Sequence, residues 1–335
     1  MIAKQAVIVI DNSSIPAQIS QDFLAYHRIH FLYAAYDSGL LAALRMPSGR
    51  GELIARLGVK HPELLDSLLD LGVLLEEFSL CDGCYKITGQ YTKSLMEKDA
   101  LAAVIQQIVT VNGPVFRRLS ERLKGAPPGD YLSGTGSMFA RSARMQEPLI
   151  AAFLRAELEK YRPLNILEVG CGSGIYLKHA VQINPRASGV GLDMQEDVIK
   201  LAGANLEAWG IDDRFKVIKA DIRQPLPELA GPFDVILLLN NIFYFPLAER
   251  PALFRCLHSL LAPEGTLYIV SVMKEKNIRA VTLDLVLKST LGCAPLPCLK
   301  QLTAQLKESG LLKVSSVLLS PALALYGVKA KVSEI

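Results

Sequence analysis

Three glycines at alternate positions, Gly170, Gly172 and Gly174, lie between the acid Glu168 and a helical pattern that resumes at 176–181. Glycines so spaced let the backbone take positive φ and leave no Cβ in the way. A ligand can then lie directly against the main chain beside a helix N-terminus. Further along, polar residues stand at the ends of apolar runs: Asp193 after 189–192, Asp221 with Ile222 after 215–220, and Asn240 with Asn241 after 233–239. An acid about twenty residues past a glycine turn suits hydrogen bonds from ribose hydroxyls. The chemistry offered is recognition of a nucleoside-bearing ligand. The elements that must position it are short buried strands, including 166–169 before the first glycine, alternating with helical patterns at 176–184, 196–209 and 247–261. That alternation predicts an α/β doubly wound parallel sheet, in which ligands bind at the carboxyl ends of the strands. All four strand tips then line one crevice.

The turn lacks the second spacing of the phosphate-binding Gly-x-Gly-x-x-Gly, which fits a ligand without a pyrophosphate. Four stretches occur in order: Glu168-Val-Gly-Cys-Gly-Ser-Gly174, Gly191-Leu-Asp193, Asp221-Ile222, and Phe233-Asp-Val with the later Leu261-Ala-Pro-Glu-Gly-Thr266. Together they resemble the class I S-adenosyl-L-methionine (SAM) dependent methyltransferases with a Rossmann-like sheet. The resemblance implies SAM as cofactor, S-adenosyl-L-homocysteine (SAH) as product, and no metal. It assigns Gly170, Gly172 and Gly174 to the methionine part, Asp193 to the ribose, Met194 to the adenine face, and Asp221 with Ile222 to the adenine edge. Glu168 orders the same pocket, and Asn240 borders it.

Half of the 335 residues are hydrophobic, enough to bury a large core, and the length suggests two domains or one enlarged one. A net charge of +3 is too mild for a nucleic-acid or membrane-surface partner, which calls for clustered Lys and Arg. The longest apolar runs, such as 100–105 and 149–154, are too short to span a bilayer. The run at 6–10 is too short for a signal-peptide core, and the protein reads as cytoplasmic. Cys81-Asp-Gly-Cys84 has redox or zinc spacing, and Cys293 with Cys298 could complete four ligands. Asp82-Gly83 is also a good hairpin turn, with no His near either pair, and the hairpin is the preferred reading.

After a lead-in at 1–20, residues 21–100 read as helices over 21–44, a short helix at 52–57, a break at Gly58, a helix from His61-Pro62 to Gly72, and a hairpin with arms at 73–78 and 85–88. Helix, turn, helix and hairpin make a winged helix. Its second helix carries Glu63, Asp66 and Asp70, charges that phosphates would repel, so DNA binding is set aside. The line Ala34-Ala-Tyr-Asp-Ser-Gly-Leu-Leu41, then Glu52-Leu-Ile-Ala-Arg-Leu-Gly-Val59, resembles the small-molecule O-methyltransferase family. There an N-terminal winged helix is a dimerisation module, which implies a homodimer and a small-molecule acceptor. Residues 101–160 form a helical linker with a Gly- and Pro-rich loop at 124–136, and 161–335 form the SAM domain. In the family the linker contributes to the acceptor pocket, so Tyr131, Phe139, Ser142 and Met145 are acceptor-side candidates. An insertion at 274–297 is a second candidate wall.

Methyl transfer from a sulfonium is an in-line displacement, so the protein must first hold donor and acceptor in line. A hydroxyl acceptor also needs a base, whereas a thioether has no proton to lose. The family's base is a His just after the fourth strand. Aligned without a gap from Phe233-Asp-Val, this chain has Phe243 there. The remaining histidines lie at 27, 30, 61, 179 and 258, none a ready substitute. The expectation is an acceptor that needs no His base: thioether or thiol sulfur, amine nitrogen, or an activated carbon, with an aromatic wall suited to a cationic product. Asn240, Asn241, Tyr244 and Tyr131 are the acceptor-orienting candidates, and Phe243 joins the pocket. Two alternatives stay open: a hydroxyl acceptor with Tyr244 or Glu147 as base, and an inactive SAM-binding scaffold or sensor.

Overall fold

A computed structural model of the chain describes residues 15–160, 164–226, 229 and 231–332. The expected lead-in lies mostly outside these residues, as does Tyr161 at the start of the expected SAM domain. The chain divides between Val111 and Asn112 into two compact units, so the linker expected at 101–160 is shared between them.

In the first unit the helix Ile15–Asp37 starts earlier than the sequence pattern suggested and is followed by a short helix, Leu40–Ala43. Helices Arg50–Leu57 and Pro62–Leu74 follow, the first ended by Gly58 at φ 62 and the second opened by a proline at its first position. Strands β1 (Ser48–Gly49), β2 (Phe78–Cys81) and β3 (Cys84–Ile87) form an antiparallel sheet in the order β1-β3-β2. The first hairpin arm therefore begins at Phe78. Val73 and Leu74, expected in that arm, continue the helix, because Leu65, Leu69 and Gly72 carry its buried 3.6-residue stripe to the end. Gly72 has to be glycine there: a Cβ would come within 2.9 Å of the Phe31 ring and closer still to Phe78. Asp82 and Gly83, at φ 52 and 73, make the hairpin turn. Leu101, Ala102 and Ile105 of helix Asp99–Gln107 pack into this unit's core.

The second unit is built on seven strands: β4 (Leu164–Val169), β5 (Ala187–Asp193), β6 (Phe215–Lys219), β7 (Phe233–Leu239), β8 (Leu261–Val272), β9 (Lys313–Ser320) and β10 (Leu325–Lys331). Their order is β6-β5-β4-β7-β8-β10-β9, with β4 to β8 parallel and β10 antiparallel to both its neighbours. This is the expected doubly wound sheet, and it closes with the antiparallel strands β10 and β9. Successive residues bury opposite faces. Ile166, Val235 and Leu237 meet helices Glu147–Leu158 and Ile175–Ile183, while Leu167, Ile236 and Leu238 meet helices Arg250–Leu260 and Leu299–Glu308. Burial on both faces explains why β7 is one unbroken apolar run after Asp234. Gly189 lets β5 lie against β4, since a Cβ at its φ of 148 would strike the Ile166 carbonyl. Among the described residues no helix is long and apolar enough to cross a membrane.

Candidate active site

The strand order puts the tips of β6, β5, β4 and β7 side by side. At the tip of β4, Gly170, Gly172 and Gly174 all have positive φ, 71, 55 and 76, and Gly174 caps helix Ile175–Ile183. Asp193 holds the turn: its carboxylate accepts from the N–H of Gly172 at 3.2 Å and of Gln195 at 3.1 Å. Burial raises the Asp193 carboxyl above its ordinary value, partly offset by these N–H groups. Glu168 is 1% exposed and leaves Oε2 without a partner. Burial, then the charge of Asp193, pushes its carboxyl well up.

The two asparagines at the tip of β7 part company. Asn240 has φ 54, a conformation asparagine tolerates better than most side chains, and its N–H donates to Val270 at 2.7 Å. Its Nδ2 donates to Oε1 of Gln146 at 3.1 Å, which brings the linker to the strand tip. Asn241 is buried; its Nδ2 donates to the Val169 carbonyl, its Oδ1 is unpartnered, and a Cβ on Gly170 would collide with that Nδ2. Glu168 Oε2 and Asn241 Oδ1 are thus orphaned acceptors beside a cradle that only glycine allows. Buried unpaired acceptors are costly, and a polar ligand or ordered water resolves them. These residues fit the methionine part of SAM. Met194, 56% exposed, and buried Ile222 flank the adjoining tips of β5 and β6.

The opposite wall is stitched from distant segments. Phe243 and Tyr244 follow Asn241 in a short helical turn, their rings edge to face at 4.9 Å. The Phe243 carbonyl accepts from Ala294 N–H at 2.7 Å. Arg250, 1% exposed, donates from Nε to the Phe245 carbonyl at 3.1 Å and from Nη2 to the Pro295 carbonyl at 3.3 Å. Burial lowers its pKa to about 10. Asp284, on the insertion helix Ile278–Lys288, accepts from Leu296 N–H at 2.9 Å. The loop joins the same assembly through Gly129, which bonds Ser289 and Leu291. Burial, then Cys293 and Asp193, raises the Tyr244 phenol, and burial alone pushes the Cys293 thiol up to about 11. Both groups keep their protons at neutral pH.

The linker candidates are spread out. Tyr131 accepts from Arg122 Nη2 at 2.6 Å, and Ser142 is buried with its hydroxyl donating to the Phe139 carbonyl at 3.1 Å, so neither hydroxyl is idle. Met145 is 47% exposed. A Cβ on Gly172 would lie 3.9 Å from Ala140, so helix Gly136–Ala143, which carries Phe139, borders the glycine turn. Sequence reasoning named Glu147 as a base candidate and set His179 aside, but missed that the two lie 3.0 Å apart, with Arg144 Nε 3.1 Å from the second carboxylate oxygen. It also missed Gln146 and Arg250, and weighed Cys293 only as a zinc ligand. No local signal could have found them, since each gains its meaning from a segment tens of residues away. Among the described residues no group of three or more His, Cys, Asp or Glu could hold a metal ion.

Residues 166–265 match the family model of a methyltransferase domain. The matched span holds the glycine turn, Glu168, Asp193, Asp221 and Phe243. The chain is 31% identical over 109 residues to ribosomal protein L11 methyltransferase of Actinobacillus succinogenes, covering 32% of this chain and 34% of that protein. It is 28% identical over 192 residues to release factor glutamine methyltransferase of Agrobacterium fabrum, covering 55% of this chain and 63% of that protein. The chain thus spans about a third of the first relative's length. In fold it is similar to mitomycin 7-O-methyltransferase MmcR, with a TM-score of 0.74 at 17% identity over 95% of this chain and 98% of that one. It is also similar to human N-acetylserotonin methyltransferase, solved with SAM, with a TM-score of 0.74 at 12% identity over 97% of this chain and all of that one.

Proposed function

We propose that the protein transfers the methyl group of SAM to a small molecule whose accepting atom has no proton to lose at that step: a thioether or thiolate sulfur, an amine nitrogen, or an activated carbon. SAM, when bound, supplies an electrophilic methyl group on a sulfonium. On this reading Gly170, Gly172 and Gly174 bind its methionine part and Asp193 its ribose, while Met194, Asp221 and Ile222 face the adenine. Phe243 and Tyr244 form the acceptor wall, with Asn240 and Asn241 orienting the acceptor, and Tyr131, Phe139, Ser142 and Met145 on the linker side.

The observation that carries the reading is the chemistry of that wall. Where the resembled family has its His, this chain has Phe243, flanked by a phenol and a thiol that both hold their protons. Such a wall offers hydrogen-bond donors and aromatic faces and takes no proton. Within the set it suits best a thioether or a neutral amine, which becomes an onium product that the ring faces of Phe243 and Tyr244 stabilise.

A second reading is supported by the Glu147–His179 pair: a hydroxyl acceptor, with Glu147 and its hydrogen-bonded imidazole as the proton-accepting couple. Tyr244 is a weaker base candidate, because a phenol pushed upward stays protonated. As an inactive binder the protein would hold SAM without consuming it. The winged-helix reading of the first unit carries with it a homodimer. A cytoplasmic location is supported by six free cysteines, as a reducing compartment would leave them.

The test is transfer of isotopically labelled methyl from SAM to four pools: phenols, thioethers and thiols, amines, and 2-oxo acids. Label in the sulfur, nitrogen or carbon pools is expected. Label confined to phenols overturns the base-free reading and points to Glu147 and His179. Tight SAM binding with no label in any pool favours the scaffold.

A further inference from the structure

Asp221 stands at the tip of β6, where the sequence resemblance turns its carboxylate toward an adenine edge. That carboxylate is already held. Arg223 Nε lies 2.9 Å from Oδ1 and 3.1 Å from Oδ2, Nη2 lies 2.8 Å from Oδ2, and the Arg223 backbone N–H donates to Oδ1 at 3.0 Å. The same guanidinium reaches Glu249 Oε2 through Nη1 at 3.3 Å. Nη2 lies 3.9 Å from the Met194 sulfur, and Cζ lies 5.8 Å from the centre of the Phe245 ring. A planar cation is thus locked between two carboxylates and set beside Met194 and Phe245. Its side chain remains 34% exposed, so part of its surface is open.

The sheet order gives the direction in which a ligand in this crevice extends. A ligand that starts in the glycine turn at β4 and crosses Asp193 at β5 runs its far end toward β6, past Met194 to Asp221 and Arg223. A guanidinium held flat by bidentate carboxylate bonds is the cation best suited to lie on a π system. Burial of Asp221 opposes its charge, but the hydrogen bonds and charge of Arg223 outweigh this and keep its carboxyl below the ordinary value. The fork therefore persists at neutral pH.

We propose that Arg223 closes the purine end of the donor site, a positioning residue that fixes the Asp221 carboxylate and presents its guanidinium plane to the base. The proposal rests on the reading of this crevice as a SAM site. It departs from the local sequence signal, in which only Asp221 and Ile222 stand out.

The experiment uses the full chain and two probes: SAH, and S-ribosyl-L-homocysteine, which keeps the sugar and amino acid but lacks the purine. SAH is measured by calorimetry, and the purine-free probe by competition with labelled SAH so that weak binding registers. Arg223→Met is expected to weaken SAH by about tenfold, the scale of a stacked cation, and to leave the purine-free probe within about twofold. Arg223→Lys should resemble Arg223→Met, since an ammonium cannot form the planar fork, and it serves if the Met variant folds poorly. Asp193→Ala, acting on the shared ribose, should weaken both probes. Unchanged SAH affinity in both Arg223 variants overturns the proposal, and so does an equal loss for the two probes. A wild-type chain that binds neither probe overturns the donor-site reading itself and takes this proposal with it.

Discussion

The two sides of the crevice are built on different principles. The proposed donor side is a property of the backbone: three positive-φ glycines at alternate positions and polar residues at the ends of consecutive strands. The acceptor side is a property of side chains and long-range bonds: Asn240 to Gln146, Phe243 to Ala294, Arg250 to Phe245 and Pro295, and Asp284 to Leu296. A backbone cradle recognises a ligand common to many proteins and tolerates little change. A stitched wall can be recut for a new acceptor while the cradle stays the same. Substitutions on the two sides should therefore separate donor affinity from acceptor choice.

The sharpest break is Gly170→Ala. At φ 71 an alanine is strained, and its Cβ would collide with the Asn241 amide. Loss of SAH binding by more than about a hundredfold in calorimetry is expected, with a stability cost of about 3 kcal/mol. Gly172→Ala has φ 55 but nothing nearer than Ala140 at 3.9 Å, so its stability cost should stay near 1 kcal/mol. Asp193→Ala comes next, expected to cost about 3 kcal/mol of SAH affinity through lost charged hydrogen bonds. Unchanged affinity would remove Asp193 from the site.

The scaffold under both sides has its own pH signature. Glu157 is partly buried, which alone would raise its pKa, but Lys160, Lys329 and Tyr268 bond it and hold it down at about 2. A depressed carboxylate stabilises the fold above its unfolded pKa and loses that contribution as pH falls through the folded value. About 1–2 kcal/mol should disappear between roughly pH 4.5 and 2, less than the full shift because solvent screens these pairs, and Glu157→Gln should flatten that part of the stability curve in denaturant titrations. Glu168 has the opposite sign. Its carboxyl is raised by burial, so the ligand-free protein becomes less stable as pH rises from the unfolded carboxylate pKa toward the folded one. Glu168→Gln should gain about 1–2 kcal/mol at pH 8 while weakening SAH binding. A variant that melts no higher than wild type would argue that Glu168 is already satisfied by ordered water.

The smallest donor-side effect is expected from Phe243→His, which places on the proposed acceptor wall the residue that the resembled family carries there. SAH affinity should stay within about twofold. A larger change would mean that the two sides are less separable than their construction implies.

The central strands β4 and β7 were legible because each is a short apolar run buried on both faces and ended by a glycine or a polar residue. Helix 196–209 and strand 233–239 stand where periodicity and composition put them. The first hairpin arm was misplaced because Val73 and Leu74 are equally good at the end of a helix and the start of a strand, and only Phe78 meeting Phe31 decides between them. Asn240 carried a weak cue in its tolerance of positive φ, but its bond to Gln146, ninety-four positions earlier, left no trace in either segment.

By itself the sequence determined the doubly wound sheet, the glycine cradle and the polar strand tips, since periodicity, burial on both faces and glycine's conformational freedom act over a few residues. It also put Phe243, by a gapless register from the strand before it, where the resembled family carries a histidine, which is the basis of the proposed base-free acceptor. Only the tertiary structure decided that Arg223 occupies Asp221, that His179 meets Glu147, and that Tyr244 and Cys293 share a wall and keep their protons. Those facts depend on which side chains are brought together and how far they are removed from water, and a linear pattern carries neither.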